Sequence, residues 1–128
     1  MQLELRVLAA VSAGGVAGAL ARFAVVAAWP HQAGDFPWAT WVINVTGCFL
    51  IGMLMALIAR RWPVRRWPVQ RYIRPFFGTG VLGGYTTFSA WAVETWQSRP
   101  WVALAYGGAT VVGALLAAWA GGAVVRTR

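Results

Sequence analysis

Lysine is absent from this sequence, acidic residues number three (Glu4, Asp35 and Glu94), and histidine and cysteine occur once each. The single Cys48 excludes an internal disulfide framework. His31 stands alone in a loop while Cys48 lies well inside an apolar run, so no transition-metal cluster is indicated. No nucleophile with a neighbouring base and no cofactor motif appears, which leaves an enzyme without support. The shortage of carboxylates counts against a further class, the small multidrug-type exchanger, which stays as the lesser alternative. A proton-coupled small multidrug exchanger needs an acid embedded in the membrane, whereas Glu4 and Glu94 fall near the ends of apolar segments.

What is present is mostly apolar. Of 128 residues, 59% are hydrophobic and 11% charged, with a mean hydropathy of +0.60, which is too little polar surface for an ordinary soluble domain. The composition describes a small integral membrane protein, all-α, embedded in a lipid bilayer. The net charge of +8 is carried by arginines that collect at the ends of the apolar segments. That placement suits headgroups and orientation, and argues against nucleic acid as a partner.

Four spans are predicted, at roughly 5–28, 38–58, 74–94 and 101–125, forming one unit over 1–128. Each reaches the ~20 residues that a bilayer requires. In the first, Gly14 and Gly18 form a G-x-x-x-G face for close helix approach. Arg22 near its end either snorkels to the interface or is a buried cation that holds backbone carbonyls or attracts an anion. In the second, Thr40 and Asn44 are four residues apart and share a face. An amide at that depth either glues helices together or lines a wet path. Trp38 and Trp41 read as interfacial anchors.

The third span carries Gly78-Thr79-Gly80-Val81-Leu82-Gly83-Gly84-Tyr85-Thr86-Thr87-Phe88-Ser89-Ala90-Trp91. Adjacent glycines followed by two β-branched residues make a poor continuous helix. A break near Gly83 to Thr86 would free carbonyls to face an ion, or the small residues would serve only a tight crossing; both readings stay open here. Phe88 and Trp91 are neighbours on one helical face, with Ser89 adjacent, and Glu94 reads as an interfacial acid. Aromatic pairs at that spacing are usually packing, although ring edges turned to a narrow path can stabilise a small anion. In the fourth span Tyr106 and Thr110 stand at i, i+4 and can either donate to an anion or satisfy one another and the backbone.

Charge is distributed unevenly. Six arginines from Arg60 to Arg74, with a near-repeat of Arg-Trp-Pro-Val, occupy one loop, and Arg6, Arg126 and Arg128 fall on the same side if there are four spans. Only Arg99 lies opposite. The positive-inside rule then predicts both termini in the cytoplasm.

The residues together resemble the Fluc (CrcB) family of fluoride channels. The likeness rests on Gly14-Gly15-x-x-Gly18-Ala19-x-x-Arg22-Phe23, on Thr40-x-x-x-Asn44-x-x-Gly47-x-Phe49-x-x-Gly52, and on Gly80-x-x-Gly83-Gly84-x-Thr86-Thr87-Phe88-Ser89, in order through the chain. It implies an antiparallel dimer with two narrow pathways that passively release cytoplasmic fluoride across the plasma membrane and so relieve its toxicity. It implies a structural Na⁺ on the dimer axis, held by the backbone carbonyls of Gly83 and Thr86; oxygen-only coordination suits a hard cation. Asn44, Phe88, Trp91, Tyr106, Thr110 and Ser89 would form the fluoride pathway, with Arg22, Thr40 and Glu94 beside it. Two departures bear on conduction: the family pattern Phe-Ser-Thr-Phe reads here Phe88-Ser89-Ala90-Trp91, and Ala114 stands where a third hydroxyl would extend the track. A dual-topology homodimer needs nearly balanced loop charges. The arginine bias therefore raises an alternative, a partner-dependent or non-conducting subunit in a heterodimer with an oppositely oriented paralogue. An assembly subunit whose glycine faces only pack helices is the remaining, non-transport reading.

Overall fold

The computed structural model describes residues 2–32, 34–61 and 69–127. Most of the Arg-Trp-Pro-Val repeat, with Arg65 and Arg66, and the terminal Arg128 lie outside the described residues. Every element among the described residues is helical: α1 (Gln2–Ala28), α2 (Trp38–Arg61), α3 (π-wound over Val69–Leu82 and closed by one α-turn, Gly83–Tyr85), α4 (Phe88–Gln97) and α5 (Pro100–Arg126). Helices α1, α2 and α5 are each long and apolar enough to cross a membrane. Their bounds lie within a few residues of the expected spans. The segment expected as a span over 74–94, with a break near Gly83 to Thr86 among its open readings, is two helices in series, α3 and α4.

Local chemistry explains the boundaries. Gly34, at φ 97°, makes the turn between α1 and α2, in a backbone region that favours glycine. Pro75 lies inside α3, where it has no N–H to give to the helical ladder. Pro100 forces Arg99 into extended backbone (φ −60°, ψ 147°), which separates α4 from α5, and then serves as the first residue of α5.

The main packing pairs are α1 against α3 and α2 against α5. The expected Gly14 and Gly18 face is the α1 seam: a Cβ at Gly18 would run into the carbonyl of Val81. On the other pair, a Cβ at Gly52 of α2 would meet the carbonyl of Ala118, and one at Gly121 of α5 that of Phe49. Such backbone contact is how helices gain packing where lipid supplies no hydrophobic drive. Leu8, Leu20, Phe23, Leu104, Leu115 and Trp119 stay largely exposed. In water such a surface would aggregate; in a bilayer it is the solvent-facing side.

Candidate functional site

The chain between α3 and α4 is extended at two residues, Thr86 (φ −74°, ψ 159°) and Thr87 (φ −148°, ψ 119°). The break expected near Gly83 to Thr86 thus falls at the C-terminal edge of that window and one residue past it. The physical reason lies in what each residue type does there. Gly83 and Gly84 remain helical, and Gly84 serves close packing, since a Cβ on it would strike the carbonyl of Gly15. The β-branched threonines take the extended backbone they favour. Thr86 donates its hydroxyl back to the Leu82 carbonyl at 2.9 Å, while the Thr87 hydroxyl accepts the Ala90 N–H at 3.1 Å and caps α4.

Two side chains from other helices satisfy the opened backbone. Asn44 donates from Nδ2 to the Thr87 carbonyl at 3.0 Å and accepts the Thr87 N–H on Oδ1 at 2.9 Å. This reciprocal pair fixes the amide orientation and leaves its second N–H unspent. One turn along α2, Gly47 makes room for Thr86, because a Cβ there would overlap the Thr86 methyl. Arg22 donates from Nη1 to the Thr86 carbonyl at 3.3 Å. Of its two open readings, the half-buried cation holding a carbonyl matches the geometry.

Around this break lies a cavity of about 280 Å³, lined by Asn44, Cys48, Thr86, Thr87, Phe88, Trp91, Thr110, Val111 and Ala114. None of these lining side chains is a carboxylate or a basic group. The wall is mostly apolar and its polar groups are all neutral; Phe88 and Trp91 bring to it the N-terminal turn of α4, where a helix has unpaired N–H groups and its positive dipole end. Phe88 is 77% exposed on the single chain, and its ring lies 5.2 Å from that of Trp91 at 44°. An arrangement of neutral donors, a helix N-terminus and ring edges can stabilise a small anion without neutralising it.

The remaining expected residues are distributed differently. Thr110 lines the cavity but donates to the Tyr106 carbonyl at 2.7 Å. Tyr106 is fully buried and lies outside the cavity lining; its hydroxyl donates to Glu94 Oε2 at 2.7 Å. Thr40 donates to Glu94 Oε1 at 2.8 Å. Glu94 is therefore more than an interfacial acid: the break sets α4 so that its carboxylate comes between α2 and α5, clamped by a hydroxyl from each. Ser89 is exposed, 3.3 Å from the Thr87 hydroxyl, and does not line the cavity. Thr87 and Cys48 do line it without having been singled out. For Thr87 a signal existed, a threonine standing immediately before a helix as its cap; for Cys48 none did.

The expected Na⁺ ligands can be tested on donor chemistry alone. The Gly83 and Thr86 carbonyls lie at the C-terminal end of α3, where the helix dipole is negative, and carbonyl oxygens suit a hard cation. The Thr86 oxygen already accepts from Arg22 and keeps a second lone pair. One chain would provide only part of a shell.

Known proteins resemble this chain along most of its length. A Streptomyces avermitilis protein, fluoride-specific ion channel FluC 2, is 47% identical over 109 residues, which is 82% of this chain and 66% of that relative. A Streptomyces coelicolor protein, fluoride-specific ion channel FluC 1, is 47% identical over 130 residues, 95% of this chain and 81% of the relative. A second protein of S. avermitilis, fluoride-specific ion channel FluC 3, is 43% identical over 94 residues, covering 73% and 44%. Residues 9–122 match the family model described as CrcB-like protein, camphor resistance, and with that match the chain belongs to the CrcB family.

Proposed function

We propose that this protein is a fluoride-selective passive channel of the plasma membrane that releases cytoplasmic fluoride. The observation that carries the reading is the cavity at the helix break. There Asn44 with its spare N–H, the first turn of α4 and the Phe88 ring line one space that has no ionised side chain in its wall. Fluoride is small and strongly hydrated, so a pathway must replace its water with close donors. Neutral donors do this without the deep well of a lone arginine, and the ion leaves again. Glu94 holds its two hydroxyl donors outside that lining, which favours conduction over proton-coupled exchange. The names of the relatives point the same way.

The cavity is open on the single chain and Phe88 is exposed, which favours closure by a second subunit in an antiparallel dimer. Gly83 and Thr86 carbonyls from both subunits would hold one Na⁺ that ties the two breaks together. Fluoride flux that persists undiminished after exhaustive exchange of Na⁺ for N-methylglucamine throughout purification would rule out that role.

The partner is either a second copy or a paralogue. The arginine bias favours a paralogue, as does the presence of two numbered relatives in S. avermitilis, and it puts both termini in the cytoplasm. C-terminal reporter fusions in cells making only this chain decide the matter: a single orientation supports the heterodimer, and both orientations the homodimer.

The channel reading is tested by fluoride efflux from liposomes carrying the protein, with a potassium shunt and a chloride control. Fluoride efflux abolished by Phe88→Ile is expected. Equal fluoride and chloride efflux, or none from folded protein alone and with a paralogue, would sink it.

A further inference from the structure

Helices α2 and α5 run parallel, sharing Glu94 through Thr40 and Tyr106 at one end and joined at the other by Arg60, which donates to the Val125 carbonyl. Beside their glycine seam lies a groove of about 520 Å³, floored by Gly52, Ala56, Ala59, Ala118 and Gly122, with Arg60 and Arg126 in its wall. From Gly52 to Arg60 the floor extends about 12 Å along α2, at the helical rise of about 1.5 Å per residue. Arg60 spends an N–H on Val125, and Arg126 spends its Nε–H on the Gly122 carbonyl at 3.2 Å. A guanidinium carries five N–H groups, so each head keeps most of its donors. A Cβ on Gly122 would stand 3.1 Å from Arg126 Nη2, which places that head over the groove floor. No carboxylate among the described residues bonds either head: Glu94 is clamped at the opposite end of α2, Asp35 precedes that end, and Glu4 lies on α1, which packs against α3.

Two like charges held against one turn of α5 repel each other until an anion lies between them. We propose that this groove binds one anionic phospholipid, its phosphate on Arg60 and Arg126 and the start of an acyl chain along Gly52, Ala56 and Ala118. Guanidinium forks match phosphate oxygens in pairs. Basic pockets between membrane helices on the cytoplasmic side hold such headgroups, and the arginine bias puts this end of α2 and α5 on that side. A halide matches the groove less well. It would leave the apolar floor uncovered, and two guanidinium groups would trap it where a conducting path needs weak binding. The space is also larger than the cavity at the break, about 520 against about 280 Å³. A seated lipid would bridge α2 and α5 beside their glycine contacts. This site goes beyond the channel reading and does not depend on conduction.

The test is native mass spectrometry of the full-length protein in detergent, titrated with dioleoylphosphatidylglycerol or dioleoylphosphatidylcholine. At about fivefold for each arginine, the unsubstituted protein should bind phosphatidylglycerol about twenty-fivefold more tightly than phosphatidylcholine. Arg126→Gln leaves the Arg60 contact with Val125 in place and should keep about a fivefold preference. The double variant Arg60→Gln, Arg126→Gln should keep none. Ala56→Leu fills the floor without changing charge and should weaken phosphatidylglycerol binding as well. Arg6→Gln removes a charge at the same membrane face outside the groove and should change nothing. Equal affinity for the two lipids overturns the proposal, and so does an equal loss in Arg6→Gln, which would assign the preference to diffuse surface charge. Displacement of the lipid by millimolar glycerol phosphate or fluoride overturns it in favour of a free small anion. A dimer that binds no lipid overturns it too, since the second subunit would then fill the groove. Selective lipid binding by a protein that passes no fluoride, alone or with a paralogue, upholds this site and overturns the channel reading alone.

Discussion

The two halves of α2 hold α5 by different means. Its first half meets its neighbours through polar side chains: Thr40 shares Glu94 with Tyr106, and Asn44 pairs with the Thr87 backbone. Its second half meets α5 through missing side chains, with Gly52 laid on the Ala118 carbonyl and Gly121 on that of Phe49. Hydrogen bonds and small-residue contacts are the two ways of joining helices in lipid, where the hydrophobic effect does not draw them together. Only the first leaves donors that an ion can use. The glycine half is therefore scaffold, and the polar half is where backbone was opened and space kept.

That contrast can be broken from either side. The largest effect is expected from Gly52→Leu, which puts a bulky side chain into the Ala118 backbone; overpacking of this kind costs about 3 kcal/mol or more. Size-exclusion chromatography in detergent should show aggregated protein, and a monodisperse product would mean the seam is looser than the contact implies. Next is Asn44→Leu, which leaves the Thr87 N–H and carbonyl buried without partners, at about 1–3 kcal/mol for each. Thermal unfolding should begin lower and fluoride flux should vanish; retained flux would reduce Asn44 to packing.

Smaller changes sharpen the difference within the polar half. Glu94→Gln removes the charge but keeps one acceptor for the Thr40 and Tyr106 hydroxyls, so a loss of about 1 kcal/mol is expected, read as a modest shift in unfolding temperature with fluoride selectivity retained. A selectivity change as large as that of Asn44→Leu would bring Glu94 into the pathway itself. Ser89→Ala should be nearly silent, within about 0.5 kcal/mol, since Ser89 is exposed and its one contact is long. A strong flux defect there would mean a second subunit covers it.

Much of the site was legible because membrane depth makes polar residues informative. Asn44 and Arg22 are each costly in lipid without a partner, which marked them on the apolar runs, but only the fold paired them with the Thr87 and Thr86 backbone. The hydroxyls of α5 were less legible. A tyrosine and a threonine one turn apart look alike whether they face an ion or each other, and only packing sent the Tyr106 proton to Glu94 while Thr110 reached the cavity wall. The position of the break was blurred for a related reason. Glycines and threonines both weaken a helix, and the contact of Gly84 with α1 showed which of them was needed for closeness and which for extension.

The sequence by itself determined the membrane setting, the four apolar segments and the glycine seams, because hydropathy, residue size and backbone propensity act locally and are written in the order of residues; whether the third segment breaks stayed open. Tertiary structure alone decided which donors stay free. A hydrogen bond is exclusive, so whether Asn44, Tyr106 or Thr110 has a proton left for an ion depends on which acceptor the fold brings within about 3 Å of it, and no single helix carries that information.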